Sequence, residues 1–155
     1  MEFRRSKDPE VTIAHLLLPT PELVLAMADR FDKDERYGPA DKVLSGVFSR
    51  HPLNEVLEDI LIKVVLLNRL YNTNVFAVMK MAQHIRGLHI DEELKQGSPA
   101  LVHRIEALTL GGKTRRHYSF ASKYCSWHKP DAFPMYDSLV ERVLILYRDQ
   151  YAFAE

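Results

Sequence analysis

The apolar spacing between Leu53 and Leu70 constrains the fold more tightly than anything else in the chain. Val56, Leu57, Ile60, Leu61, Val64, Val65 and Leu67 recur about once per helical turn and form a wide stripe. Glu55, Glu58, Asp59 and Lys63 are expected on the opposite, solvated face. A helix with so broad an apolar face must pack against other elements. Those elements are expected to be helices, because no segment shows useful strand-like alternation and none carries an Asn-Gly hairpin signal.

The same periodicity extends along most of the chain. Thr20, Pro21 and Glu22 mark a helix start: a capping hydroxyl, a proline where no amide hydrogen is needed, and an acid at the positive end. That helix fades near Phe31, and Asp32 to Pro39 is polar and ends in Gly-Pro, a loop or helix end. Tyr71 to Asn74 form a turn, with Asn72 or Thr73 placed to cap a helix that runs from Val75 to Gly87. Asp91 caps a short helix closed by Gly97. Ser98 and Pro99 open another that runs to about Thr109, before Gly111-Gly112. The expected architecture is all-α: one compact domain over residues 1–155, a bundle of about seven helices without internal repeats. The last helix begins close to the end of the chain with apolar Val140, Val143, Leu144 and Tyr147. The chain is therefore expected to be shortened at its C-terminus relative to its relatives, or to bury that face against a partner or a second copy.

Composition narrows the setting. With 46% hydrophobic and 27% charged residues over 155 positions, the chain is long enough for a substantial core. A single cysteine cannot close an internal disulfide, which fits a reducing, cytoplasmic compartment. The longest apolar run, Ile60 to Leu67, is interrupted by Lys63 and falls far short of a membrane span. The first ten residues are charged, with no apolar segment of the signal-peptide kind. Twenty-one basic side chains balance twenty-one acidic ones, so indiscriminate coating of nucleic acid is not expected. The balance is uneven along the chain, however. Residues 8–41 hold eight acids, expected on a solvated face, whereas no acid occurs between Glu106 and Asp131.

That acid-free stretch leads to the segment with most chemical content. Between Gly111 and Asp137 lie five Lys or Arg, two His, three Tyr, two Phe, the only Trp and the only Cys. Pro134 holds Phe133 extended, and Ser138-Leu139-Val140-Glu141 fits a capping box, which puts Asp137 at a helix start. A carboxylate there is kept ionised by free amide hydrogens and the helix dipole. It serves either as a plain helix cap or as a catalytic acid. Phe120, Tyr124 and Trp127 are spaced as one helix face, which favours packing, and Lys123 and Arg116 are expected to face solvent. Cys125 and His128 have no second ligand pair, so no metal is expected. Cys125 also lacks an orienting partner for nucleophilic work. His15, His51, His84, His89 and His103 are scattered and expected to be structural or exposed.

Leu110-Gly111-Gly112-Lys113-Thr114, followed by Phe133-Pro134-Met135-Tyr136-Asp137-Ser138-Leu139-Val140-Glu141-Arg142-Val143, resembles the signature half of the helix-hairpin-helix DNA glycosylases. In that superfamily a hairpin of the form LPGVG-x-K is followed, after one helix, by a PVDTHV-x-RV segment that holds the essential Asp. Ile62 to Val75 resembles the family's LxxxLLSxQTTDxxV pattern, and the likeness covers roughly residues 53–145. It departs at the hairpin proline, which is missing, and at Tyr136 and Ser138, which flank Asp137. Iron–sulfur cysteines are absent, so no cofactor is expected.

The resemblance implies cleavage of the N-glycosidic bond of a modified or damaged base in duplex DNA. Asp137 would stabilise the sugar cation or activate water, and Lys113, or Lys123, would attack C1′. Gly111, Gly112, Arg115, Arg116, Lys123 and Lys129 would hold the DNA backbone. Tyr124, Trp127, His128 and Tyr136 would form the base pocket. The alternatives are a non-catalytic DNA-binding or protein-interaction module on the same fold, or an unrelated helical partner-binding domain.

Overall fold

A computed structural model describes residues 17–35 and 38–152. His15 and the N-terminal charges lie outside the described residues. Within them the chain forms α1 (Pro21–Asp32), α2 (Gly38–Arg50), α3 (Leu57–Tyr71), α4 (Val78–Leu88), α5 (Asp91–Gln96) and α6 (Ala100–Glu106). A two-stranded hairpin follows, β1 (Ala107–Leu110) and β2 (Lys113–Arg116), then α7 (Tyr118–His128) and α8 (Ser138–Tyr151). The protein is all-α apart from this ribbon. No helix among the described residues is long and apolar enough to cross a membrane.

Helix α3 is the central element, packed by α2, α4 and α7, while α6 joins α4 to α7. Its Ile60, Val64 and Leu67 are fully buried against Met81 and Ile85 of α4, Leu101 and Ile105 of α6, and Phe120 and Tyr124 of α7. Each such side chain contributes roughly 1.5–3 kcal/mol relative to exposure. The expected stripe is largely right, with one inversion. Lys63 lies between Ile60 and Leu67 on the core face and is fully buried, whereas Val56 and Val65 are exposed.

Four other expectations shift. Helix α2 replaces the end of the expected loop and brings the described helices to eight. Pro39 does not break it, because a proline in the first turn withholds no needed amide. Leu44, Val47 and Phe48 then recur at helical spacing and are buried. Residues 107–110 form a strand rather than the end of a helix. Gly111 and Gly112 both take positive φ, 55° and 75°. That pair is what a two-residue hairpin turn requires, and Gly-Gly was the signal for it. Asn72 closes α3 in the left-handed region instead of capping α4. Asn68 organises the turn: its Oδ1 accepts from Thr73 Oγ1 and Val75 N, both at 2.9 Å. Lastly, α4 starts at Val78 and leaves Phe76 82% exposed.

Thr20 caps α1 as expected, accepting from Leu23 N at 3.3 Å. Helices α1 and α8 bury no residue. Leu25, Met27, Leu139, Val143 and Leu144 on them are exposed, and the Tyr147 hydroxyl donates to Leu17 O.

Candidate functional site

Asp137 is the N-cap of α8. Its Oδ1 accepts the backbone N–H groups of Leu139 and Val140, both at 3.0 Å. Its Oδ2 lies 3.1 Å from Lys123 Nζ. The Val140 amide, followed by Lys123, holds its carboxyl below the usual carboxylate range. The lysine beside Asp137 is therefore Lys123, not Lys113. Lys123 is only 2% exposed, against the expected solvent-facing side chain, because α7 is buried over the whole run from Phe120 to Ser126, on both sides of Lys123. Its ammonium also donates to Ser119 Oγ at 3.0 Å and Tyr136 O at 3.1 Å, and lies 5.4 Å from the centre of the Tyr71 ring. Ser122 Oγ accepts from Tyr136 N at 3.1 Å, fixing the extended segment that delivers Asp137.

The residues expected to touch DNA separate into several places. Lys113 and Arg115 are exposed on β2, and Gly111 and Gly112 form the open tip of the ribbon. Arg116 is exposed but tied to the buried Glu106 carboxylate at 2.8 Å. Lys129 donates to Lys95 O at 2.6 Å and lines a cavity with Asp91 and Glu92. Lys113 and Arg115 instead share a shallow cavity of about 280 Å³ with the exposed Phe76. Phe76 escaped the sequence reading because its spacing matched a helix that begins two residues later.

The proposed base-contacting residues also divide. Tyr124 is fully buried and donates to Asn54 Oδ1 at 2.6 Å, so it cannot stack on a base. Tyr136 packs edge-on against Tyr118 at 5.3 Å. Trp127 and His128 do line a cavity, of about 540 Å³, whose opposite wall is Asp41, Ser45, Phe48 and Ser49 of α2. Burial, then Lys63, lowers the His128 pKa to about 3, so the ring is neutral. Cys125 is buried and its thiol is pushed up to about 12, which makes it a poor nucleophile. Among the described residues no three His, Cys, Asp or Glu side chains gather as metal ligands.

Beneath that cavity lies a polar core that apolar spacing had hidden. Lys63 Nζ donates to His51 O at 2.9 Å, Leu53 O at 3.0 Å and Asn54 Oδ1 at 2.8 Å. His128 Nε2 is 3.4 Å away. Asn54 in turn donates from N and Nδ2 to the Asp91 carboxylate, at 3.0 and 2.6 Å. Burial lowers the Lys63 pKa to about 8, against the opposing pull of Asp91 and Asp59.

Residues 23–132 match the family HI_0787_N, described as an N-terminal domain. The chain belongs to this family. An uncharacterized protein of Haemophilus influenzae is 46% identical over 92 residues, covering 59% of this chain and 46% of that relative. The chain thus spans about half the length of that relative. No solved structure matches it. The family match includes Lys123 and ends before Asp137.

Proposed function

We propose that this domain is a DNA glycosylase-like enzyme that releases a modified or damaged base from duplex DNA. The observation that carries the reading is the Lys123–Asp137 pair, a buried ammonium 3.1 Å from a partly exposed carboxylate at a helix start. The segment from Ser126 to Met135 links this pair to the cavity of about 540 Å³. Both Asp41 of that cavity and Asp137 act electrostatically on the Tyr71 phenol.

Two roles follow. An ionised Asp137 opposes the positive charge that grows on C1′ as the base departs. Lys123, uncovered by a shift of the extended segment that carries Tyr136 and losing its proton to the water admitted, donates its electron pair to C1′ while the glycosidic bond breaks and the base leaves with those bonding electrons. Support for DNA as substrate comes from the exposed Lys113, Arg115 and Phe76, cations beside an aromatic ring open to stacking. Breaking of the C1′–O4′ bond, with O4′ taking a proton and the nitrogen releasing one, turns the Lys123 adduct into an imine, and addition of water to the imine frees the sugar aldehyde and regenerates the lysine.

A second reading is favoured by two observations. Helices α1 and α8 bury nothing, and Asp137 already satisfies two helix amides, as a structural cap would. On that reading the domain binds DNA or a protein without chemistry.

The test is incubation with duplexes carrying a panel of modified bases, followed by alkali and strand analysis. Asp137→Asn, which preserves the cap, should abolish product while leaving DNA affinity near wild type. Borohydride should trap a covalent complex with wild type and Lys113→Gln, and none with Lys123→Gln. No product from any duplex with folded protein would leave the non-catalytic reading in its place.

A further inference from the structure

We propose that the apolar face of α8 binds a second copy of this chain, the two α8 helices lying antiparallel across a two-fold axis with α1 extending the contact. The proposal goes beyond the glycosylase reading and does not depend on it. Leu139, Val143, Leu146 and Gln150 follow one another at the alternating spacing of the core positions in two heptads. A helix of a single domain turns such a seam toward its own core. Here the seam stays open. Leu139 is 61% exposed, Val143 and Leu144 are exposed, Leu146 and Tyr147 are only half-buried, and α8 buries no residue.

The open surface continues beyond α8. The Tyr147 hydroxyl donates to Leu17 O, which ties the segment before α1 to α8. Leu17 and Leu18 are exposed there, and Val24, Met27 and Ala28 recur as an exposed stripe along α1. Together with the apolar side chains of both helices they leave roughly 1,000 Å² of apolar surface in water, against about 800 Å² per partner in a stable interface. Two heptads alone would fall short of that area, so the contact needs α1 as well as α8.

The flanking charges identify the occupant. Arg142 and Asp149 are exposed and stand at equivalent places one heptad apart, on the same flank of the seam. When two such helices run antiparallel, that flank faces itself. Each Arg142 then meets the partner's Asp149, and Val143 packs on the partner's Leu146. Within one chain Asp149 Oδ1 accepts from Arg148 at 2.7 and 2.9 Å, which leaves Oδ2 for the partner's Arg142. A parallel pair would set Arg142 opposite the partner's Tyr147, with no charge to meet. Antiparallel packing also opposes the two helix dipoles. A patch that complements itself is what a two-fold contact between identical chains requires, and an unrelated partner would not require it.

Sedimentation velocity at roughly 100 μM, enough to fill a dimer with a Kd of about 1 μM, should give twice the 18.0 kDa of one chain. Val143→Glu sets a carboxylate against the partner's Leu146 and should give the mass of one chain with an unchanged circular dichroism spectrum. Arg142→Glu and Asp149→Arg should each raise the Kd several-fold, and the double variant should bring it back to within roughly twofold of wild type. Both charges are exposed, so this exchange keeps the test open should Val143→Glu misfold. Four results would overturn the proposal: a wild-type mass of one chain, masses that grow past two chains with concentration, a dimer undisturbed by Val143→Glu, or a double variant no tighter than either single one.

Discussion

Lys63→Met makes the most informative perturbation of the core beneath the cavity. Methionine fills the lysine stem's volume but withdraws the ammonium from three acceptors at 2.8–3.0 Å. Asn54 Oδ1 keeps the Tyr124 hydroxyl, and the His51 and Leu53 carbonyls, in a partly exposed loop, can regain water. The expected loss at neutral pH is about 2–4 kcal/mol, between one unsatisfied buried acceptor and a fully broken buried charge site. For a chain of this size that lowers Tm by roughly 4–16 °C.

The pH dependence gives the stricter check. Burial lowers the Lys63 pKa from an ordinary 10.5 to about 8 in the folded protein. Below about 8 both states hold the proton, and this lysine contributes no slope. Between the two values the unfolded chain binds the proton and the folded one has released it, so stability rises with pH. The whole rise is at most about 3 kcal/mol, and it levels off above the unfolded value. Urea unfolding, followed by Trp127 fluorescence and circular dichroism, should be run on wild type and Lys63→Met from neutral pH to the unfolded value. The stability difference between them should grow with pH across that window. A flat difference would refute the claim that Lys63 is a costly buried cation.

Two further perturbations test the frame around the site. Asp137→Ala removes a cap accepting two amides and should cost about 1 kcal/mol at neutral pH. Because the folded carboxyl titrates below its ordinary value, this contribution is present above that value and lost as pH falls through the folded one. Urea midpoints of the two proteins should therefore converge in acid, and a constant gap would count against the cap. Gly97 and Gly112 share nearly the same φ, 74° and 75°, but an added Cβ at Gly97 would meet Ala132 Cβ at 2.9 Å and at Gly112 nothing. Gly112→Ala should cost about 1 kcal/mol from backbone strain, and Gly97→Ala clearly more. Equal Tm values would show that the loop carrying Ala132 yields freely.

The helical fold was legible because its cause is local. The Ile60, Val64 and Leu67 spacing, the Thr20 cap and the Asp137 start each depend on neighbours within a turn or two, which sequence displays directly. The errors fall where a local pattern has two solutions. Gly-Pro both stops and starts helices, Gly-Gly both ends a helix and turns a ribbon, and a lysine between two core positions is ordinarily drawn to solvent. Only the tertiary structure decides that Lys63 stays inside, because its three acceptors come from the loop that precedes α3. The same holds for the candidate site. The chain alone named Asp137, Trp127 and His128. The choice of Lys123 over Lys113, the removal of Tyr124 to the core and the entry of Asp41 from α2 required the packing of separate helices. Local spacing determines which elements form, and the distances between their side chains are settled only when those elements exclude water from one another.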